Sequence, residues 1–375
     1  MARLALLPAV ALGLTLLAGC GEQPAEAGAV RWERLPDLPL AEREGPVVAW
    51  TGEVVLAVGG DTGEECPPTA DCEQPNAAAT DGAALDPATG TWRAIADAPR
   101  PVPAYSSSAL VGDELFVHVD RALLVYDTVR DRWRVLPRRV DGWYRPVADG
   151  DRLVLVHGSD EQRSRPDLVL DPATGRWARL PDDPLGPSFD RTVVSTPPGL
   201  LLGAHDLVDS PGAGADPSYL RAALLDRETG EWRTFGPSGQ LGAPVWAAVG
   251  DRVVGLSLET SDGGGPEPGD YGRDVPLGGR LDLVSGKWSA LPSAPDPESG
   301  GWPVLAAGEH LVAASGFVYD DASAAWTTLP RPDGAADVAG PAVWADERLV
   351  VVTGRDRGDT HAETRSNEVW IATVG

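Results

Sequence analysis

Charged and aromatic side chains are clustered at three places where the chain could recognise a ligand. These clusters are Arg43-Glu44, Trp143-Tyr144-Arg145 and Asp190-Arg191. Aromatic rings offer an apolar surface to a sugar or a peptide, and the carboxylates and guanidinium groups beside them offer charge and hydrogen bonds. The seven residues are therefore predicted to bind a ligand. Acid–base side chains of these types could also act on a sugar, so catalysis stays open as the alternative.

Three histidines, His118, His157 and His205, each follow an apolar run and are the side chains that could bind a metal. Each belongs to a different copy of the repeat described below, so they are expected to be separated in space. The acidic segments lack the spacing of a calcium loop, and the chain has no G-x-S-x-G, Walker or H-E-x-x-H sequence. No metal, no cofactor and no catalytic residue is predicted.

The charge of the chain excludes one class of partner. The formal net charge is −25, and the basic side chains are Arg apart from Lys287. Phosphate backbones would repel such a chain, and no basic run could neutralise them locally. Nucleic-acid binding is therefore not expected.

The elements that must position these residues are repeats. Six segments place an Asp six residues before a Trp, as in A-L-D-P-A-T-G-T-W and V-L-D-P-A-T-G-R-W. The pairs are Asp86 and Trp92, Asp127 and Trp133, Asp171 and Trp177, Asp226 and Trp232, Asp282 and Trp288, and Asp320 and Trp326. Asp initiates a turn, Pro presets φ for its first corner, and Gly accepts the left-handed conformation that closes a hairpin. The spacing predicts six copies of one β-hairpin.

A second turn followed by an apolar run precedes each hairpin, as at Gly112, Gly150 and Gly250. A unit then consists of four strands, a to d, which is the blade of a β-propeller. The last unit ends without its hairpin, and the segment 31–36 (R-W-E-R-L-P) matches the missing strand d. We predict an all-β, seven-bladed propeller of four-stranded blades, closed by this N-terminal strand, with six or eight blades as alternatives.

The repeats resemble Kelch repeats, whose blades carry a Gly-Gly after strand b and a Tyr-Asp…Trp hairpin. Gly59-Gly60 matches the first feature, and Tyr126-Asp127 with Trp133 matches the second. The resemblance implies a propeller of the galactose-oxidase-like type, although most blades lack the double glycine. The copper enzymes of that fold need a Cys cross-linked to a Tyr, and each Cys of this chain is predicted to serve another role.

One face of the predicted ring carries the long loops. The insertions 61–80, 205–219, 259–278 and 355–367 all fall between strands b and c. The b–c and d–a connections share a face, so the seven candidate residues are expected at the same mouth of the channel. Arg100, Trp246 and Trp302 lie on d–a connections as well, where inter-blade packing is the competing interpretation. Recognition is commonly placed on loops of a rigid scaffold.

The first residues have the layout of an export signal. An apolar stretch follows Arg3, is too short to span a bilayer comfortably, and ends in Leu17-Ala18-Gly19-Cys20. This ending resembles the lipobox of bacterial lipoproteins, which implies that Cys20 becomes the lipidated first residue of the mature protein. We expect a signal peptide at 1–19, a flexible tether at 20–30 and the propeller at 31–375.

Two other cysteines, Cys66 and Cys72, lie in the sequence C-P-P-T-A-D-C. Disulfides persist in exported proteins, and a metal site would want further Cys or His nearby. We expect these two cysteines to form a disulfide.

These patterns together predict a monomeric propeller held by lipid on the extracytoplasmic face of the cell membrane. It would serve as a binding or scaffold module for an envelope protein or a glycan, and would touch the membrane only through its anchor. The alternative is an extracytoplasmic sugar-modifying enzyme of the epimerase or mutarotase type, with its site at the propeller mouth.

Replacing the lipobox cysteine tests the anchor. In Cys20→Ala the acceptor thiol is absent, so lipid labelling should be lost and the protein should leave the membrane fraction. Fractionation with metabolic labelling measures both, and Cys66→Ala serves as the control because it should stay in the membrane. Retention of Cys20→Ala in the membrane fraction would contradict the lipobox.

Overall fold

The computed structural model describes residues 30–63, 77–138, 140–207, 219–240, 245–256, 278–292, 302, 304–314, 316–357 and 363–375. Strands, turns and irregular segments account for all of these residues, with no helix among them. It follows that these ranges contain no helix long and apolar enough to cross a bilayer. The predicted signal peptide, Cys20, Cys66 and Cys72 lie outside the described residues.

The first three blades are formed in chain order. Blade 1 consists of β2 (Val47–Trp50), β3 (Val55–Val58), β4 (Gly82–Asp86) and β5 (Thr91–Ile95). Blade 2 consists of β6 (Ser108–Val111), β7 (Glu114–Val119), β8 (Ala122–Asp127) and β9 (Arg132–Val135). Blade 3 consists of β10 (Tyr144–Asp149), β11 (Arg152–His157), β12 (Leu168–Asp171) and β13 (Arg176–Arg179).

The remaining blades complete the ring. Blade 4 consists of β14 (Ser188–Thr196), β15 (Gly199–Asp206), β16 (Arg221–Asp226) and β17 (Trp232–Thr234). Blade 5 consists of β18 (Val245–Val249), β19 (Arg252–Leu256), β20 (Gly278–Asp282) and β21 (Trp288–Ala290). Blade 6 consists of β22 (Ala306–Ala307), β23 (Leu311–Ala314), β24 (Phe317–Asp320) and β25 (Ala325–Thr328). Blade 7 consists of β26 (Val338–Ala339), β27 (Ala342–Ala345), β28 (Arg348–Arg357), β29 (Glu363–Thr373) and β1 (Arg31–Leu35).

Each blade is an antiparallel sheet in which strands a to d are neighbours, in chain order for blades 1 to 6 and with β1 as strand d of blade 7. Strands a of successive blades contact one another all the way round, from β2 through β6, β10, β14, β18, β22 and β27 back to β2. Strand a is therefore innermost and strand d outermost. The prediction of a seven-bladed β-propeller is confirmed, and the six- and eight-bladed alternatives are wrong.

The N-terminal strand closes the ring as predicted. β1 pairs antiparallel with β29, from Arg31 opposite Thr373 to Leu35 opposite Val369. It supplies strand d of blade 7, so the first and last segments of the ring share one sheet. This pairing covers the edge that β29 would otherwise expose.

The c–d hairpins form for the local reason that the sequence indicates. Oδ1 of Asp86 accepts hydrogen bonds from the backbone N–H groups of Ala88 and Thr89, and Oδ2 accepts one from the Thr89 hydroxyl. The hydroxyl and backbone bonds lower the pKa of Asp86. Gly90 then takes a left-handed φ of 68° before the returning strand. Asp171, Asp226, Asp282 and Asp320 accept comparable bonds in their own turns.

The Trp of each hairpin links its blade to the preceding one. Six indole N–H groups donate to backbone carbonyls within two residues of the end of the preceding strand d, at 2.7 to 3.0 Å. The pairs are Trp32 with Pro330, Trp92 with Pro36, Trp133 with Ala96, Trp232 with Pro181, Trp288 with Gly236, and Trp326 with Pro292. The seventh, Trp177, has the guanidinium of Arg138 4.8 Å from its ring centre.

Blade 7 departs from the expected pattern in two ways. The described parts of segment 355–367, expected as a long b–c loop, continue the ladder: Arg355 lies opposite Arg365 and Asp356 opposite Thr364, while residues 358–362 lie outside the described residues. Strand a is divided into β26 and β27 around Gly340, where a Cβ would come within 2.2 Å of the Val352 carbonyl oxygen. The expectation for 355–367 is therefore wrong, because backbone pairing extends past the register shift between Val352 and Gly354.

The two faces of the ring differ in their connections. We call the face with the a–b and c–d turns the turn face, and the face with the b–c loops and d–a connections the loop face. Arg31, the first residue of β1, lies at the turn face, because it pairs with Thr373, which pairs in turn with Arg348 beside an a–b turn. Segment 158–167, between β11 and β12, lies on the loop face.

Removing the closing strand tests the ring. Deletion of residues 31–36 exposes the edge of β29 and removes the buried Leu35 and the Trp32 bond to blade 6. We expect a loss of unfolding free energy on the order of 5 kcal/mol, by comparison with large-to-small core substitutions. Denaturation of residues 21–375 measures it, with deletion of 21–26 in the tether as the control. Equal stability of the two deletions would contradict closure by β1.

Candidate functional site

A cleft on the loop face lies between the connection that enters blade 3 and the b–c loop of the same blade. Its volume is about 440 Å³. Its described lining residues are Gly142, Trp143, His157, Ser159, Glu161, Gln162, Arg163 and Arg165. We call this the Trp143 cleft. The strands β10 and β11 position it, because Trp143 directly precedes β10 and His157 ends β11.

Trp143 forms an aromatic surface at the edge of the cleft. Its side chain is 51% exposed, which is unusual for an indole in this molecule. The ring lies against Gly158, where a Cβ would meet the indole Cε3 at 2.6 Å. The Gly158 N–H also donates to the Trp143 carbonyl at 2.9 Å. Glycine at 158 therefore allows the ring to lie on the loop while its remaining surface faces solvent.

Arg145 supports the indole of Trp143. Its guanidinium carbon lies 4.8 Å from the centre of the Trp143 ring, which is a cation–π arrangement. Burial lowers the pKa of Arg145, while the nearby charge of Asp190 opposes that shift. Nε of Arg145 is buried and has no hydrogen-bond partner among the described residues. Arg145 is not among the described lining residues of the cleft, so it contributes to the cleft through its contact with the indole.

Tyr144 and His157 pack beneath the cleft. They face each other across β10 and β11, with ring centres 5.3 Å apart. Tyr144 is buried and donates its hydroxyl to the Pro166 carbonyl at 3.0 Å. Nδ1 of His157 is buried and makes no hydrogen bond within the described residues, although Asp160 lies 3.6 Å away. Burial lowers the pKa of His157, so its neutral form is favoured.

Arg191 clamps the base of the same b–c loop. A bulge in β14 places Asp190 at a left-handed φ of 47° and directs Arg191 towards blade 3. There it donates to the His157 carbonyl at 2.8 Å, to Asp167 at 2.8 Å and to Asp183 at 3.0 Å. Arg191 is 3% exposed. Its guanidinium therefore holds the loop in place from within.

Arg43 makes the equivalent clamp in blade 1. It donates to the Gly59 carbonyl at 3.0 Å and to both carboxylate oxygens of Asp81. In both clamps a guanidinium joins the end of strand b to an Asp immediately before strand c. The bond of Arg43 to Asp81 is bidentate, whereas Arg191 divides its bonds between Asp167 and Asp183. Charge-assisted bonds of this kind fix geometry, so Arg43 and Arg191 set the bases of two b–c loops.

Glu44 lies beside Arg43 and away from the Trp143 cleft. Its carboxylate accepts hydrogen bonds from the Tyr105 hydroxyl at 3.0 Å and from Arg355 at 3.3 Å. The other five predicted ligand residues lie where blades 3 and 4 meet: Trp143, Tyr144, Arg145, Asp190 and Arg191. Arg43 and Glu44 form a separate group where blades 7, 1 and 2 meet.

The sequence prediction missed the loop residues that face Trp143. Glu161, Arg163 and Arg165 line the cleft, and Glu161 accepts a hydrogen bond from the Ser159 hydroxyl at 2.8 Å. Arg165 also borders a smaller cleft of about 190 Å³ on the other side of the loop. The charged run E-Q-R-S-R between two strands is the signal in the sequence for these residues, although this loop is shorter than the four long insertions.

The remaining tryptophans and histidines that the sequence singled out are packed inside or between the blades. Trp246 is 7% exposed and lies against Gly203 of the preceding blade, and Trp302 is fully buried with its N–H bonded to the Ala336 carbonyl. His118 lies near the Val140 carbonyl, and His205 stacks on Phe189. Within the described ranges, no three His, Cys, Asp or Glu side chains are grouped as metal ligands.

The fold and this geometry define a seven-bladed β-propeller with an aromatic cleft on its loop face. A scan against models of protein families finds no match to the chain. A search of curated proteins likewise finds no similar sequence.

The Arg191 clamp predicts a pH dependence. Burial raises the pKa of Asp167 to about 6, against the opposing charge of Arg191. Because the folded state holds this proton more tightly than the unfolded state, protonation of Asp167 stabilises the fold. That contribution to the unfolding free energy is complete below the unfolded pKa near 3.8 and is lost as the pH rises through 6. Asp167→Asn should remove this loss, which amounts to about 3 kcal/mol for a difference of roughly two pKa units.

Urea denaturation of wild type and variant between pH 4 and 7 measures the difference. Asp149→Asn is the matched control: burial opposes ionisation of Asp149, but bonds from Arg227, Ser195 and Arg152 outweigh it and lower its pKa. Its pH-dependent contribution therefore falls below pH 4 and should leave the window from 4 to 6 unchanged. Parallel curves for wild type and Asp167→Asn would contradict the raised pKa.

Proposed function

We propose that this protein is a lipid-anchored, Kelch-like propeller of the cell envelope that binds a glycan or an envelope protein at the Trp143 cleft. Cys20 carries the lipid after removal of residues 1–19, and residues 20–30 form the tether. The half-exposed Trp143, stacked on Arg145 beside a cleft, is the observation that carries the proposal. A rigid aromatic surface with polar groups around it is the usual composition of a binding site.

The orientation of the ring supports this function. The tether would join β1 at Arg31, which lies at the turn face. The Trp143 cleft lies on the opposite, loop face. A propeller tethered in this way can present the cleft away from its own membrane, where envelope ligands are accessible.

The chemistry of the cleft favours a glycan with acidic groups among these ligands. The indole suits the apolar face of a sugar ring. Arg163 and Arg165 line the cleft and provide guanidinium donors beside it. Guanidinium groups bind carboxylates and phosphates with directional, charge-assisted bonds. This local basic character contrasts with the net charge of −25 for the whole chain.

The enzyme alternative has less support in the described geometry. Tyr144 and Arg191, which were candidates for acid–base or electrostatic roles, are buried in bonds to Pro166 and to Asp167 and Asp183. His157 and Glu161 are the remaining groups at the cleft that could transfer a proton. Turnover of a sugar that depends on these two residues would therefore favour the enzyme over the binding module.

A glycan array and an envelope pull-down with residues 21–375 test the proposal. Trp143→Ala should weaken binding at least about tenfold, as expected for an aromatic anchor. Tyr105→Ala, which removes another exposed aromatic from the loop face, is the matched control and should bind as wild type. Unchanged binding by Trp143→Ala, or hydrolysis or epimerisation of the bound sugar, would contradict the binding function.

A further inference from the structure

A second cleft, of about 510 Å³, opens on the turn face of the ring. It lies where the a–b turns of blades 6 and 7 meet the end of strand a in blade 1. Glu309 and His310 come from the first turn, Asp346 and Glu347 from the second, and Trp50 from β2. None of the predicted ligand residues lines it. We call it the Trp50 cleft.

Two indoles form the apolar part of the Trp50 cleft. Trp344 is buried, with its N–H bonded to the Ala306 carbonyl at 3.2 Å and its ring against Gly308. Trp50 is half-buried, and its N–H donates to Oδ1 of Asp346 at 3.3 Å. The two rings are thus oriented by bonds across the blade boundaries. They provide a fixed aromatic wall in a concave site.

The charge of the cleft is of one sign. Glu309, Asp346 and Glu347 are exposed carboxylates, and neither Lys nor Arg occurs among the described lining residues. In the part of the chain that the structure describes, none of the three carboxylates has an ion-pair partner. A guest that carries a positive charge would therefore be attracted to this mouth of the channel.

The kind of cation follows from the wall and from the spacing of the carboxylates. No group of three acidic or imidazole side chains among the described residues is close enough to ligate a metal ion. An indole face, in contrast, attracts an alkylammonium group through its quadrupole and accepts the methyl or methylene groups around the charge. We propose that the Trp50 cleft binds an alkylammonium group, with Trp50 as the aromatic contact and Glu309 and Glu347 as the counter-charges.

The position of the cleft indicates two sources for such a group. The turn face is also where Arg31 begins β1, so under the proposed lipid anchor this mouth lies on the side that the tether joins. The ammonium group could belong to a zwitterionic phospholipid head group or to a soluble amine. Both share the chemistry that the cleft recognises, and vesicles distinguish them.

Calorimetric titration of residues 21–375, which contain all the strands of the ring, tests the recognition with choline as the probe. The neutral isostere 3,3-dimethyl-1-butanol has the same shape without the charge, and should bind at least about tenfold more weakly if the cation–π contact and the carboxylates act together. Trp50→Leu and the double variant Glu309→Gln, Glu347→Gln should each weaken choline binding about tenfold or more. Trp143→Ala, on the opposite face, should leave it unchanged.

Flotation with phosphatidylcholine vesicles, with and without competing choline, identifies the source. Vesicle binding that choline displaces assigns the site to a head group, and choline binding without vesicle binding assigns it to a soluble amine.

The proposal is overturned by equal affinity for choline and its neutral isostere, by no heat with millimolar choline, or by wild-type affinity in the double Gln variant. The double variant changes only exposed side chains, so it tests the site even where Trp50→Leu fails to fold. Glycan or envelope-protein binding by Trp143→Ala is measured separately from choline binding. A failure of the proposed function at the Trp143 cleft can therefore be distinguished from a failure of the proposal for the Trp50 cleft.

Discussion

The hydrogen bond from an indole N–H to a carbonyl of the neighbouring blade is the interaction on which the rest of this molecule depends. It occurs at six of the seven blade boundaries, always from strand d of one blade to the end of strand d of the preceding blade. Packing between blades is apolar and therefore not directional, whereas this bond specifies distance and angle at the outer rim. A closed ring of seven similar blades needs a defined angle between neighbouring blades, because small errors in that angle accumulate round the circle.

This constraint also explains why the clefts differ between the faces. The indole bonds and the inner ring of strands a hold the blades rigidly, so the connections at either face are free to differ. On the loop face, Arg43 and Arg191 hold the bases of two b–c loops with carboxylates placed just before strand c. On the turn face, the turns are too short to need such clamps. Their side chains instead meet at blade boundaries, as Trp50 and Asp346 do.

The two clefts are opposite in charge, and the net charge of the chain conceals this. Arg163 and Arg165 outnumber the one carboxylate, Glu161, in the described lining of the Trp143 cleft, whereas three carboxylates and neither Lys nor Arg line the Trp50 cleft. Each combines its charges with an indole that is neither fully buried nor freely exposed. The propeller thus offers two different chemistries on its two faces, and the proposed tether would join it on the turn face.

The sequence by itself determined the hairpins and indicated the closing strand, and it favoured seven blades over the alternatives of six or eight. These follow from interactions within a few residues, such as Asp86 with Thr89, and from a pattern repeated until the ring is complete. Segment 355–367 was misjudged because its residues lack the apolar alternation by which strands are recognised, and backbone pairing with its own return strand decided its structure.

The tertiary structure alone decided which candidate residues meet. Arg43 and Arg191 read as equal candidates in the sequence, yet each is directed into a buried clamp by partners that lie 38 and 24 residues away. Trp50 and Asp346 meet although 296 residues separate them. Side-chain neighbours in a closed ring come from adjacent blades, and the register between blades is a property of the whole circle. No local pattern in the chain encodes it.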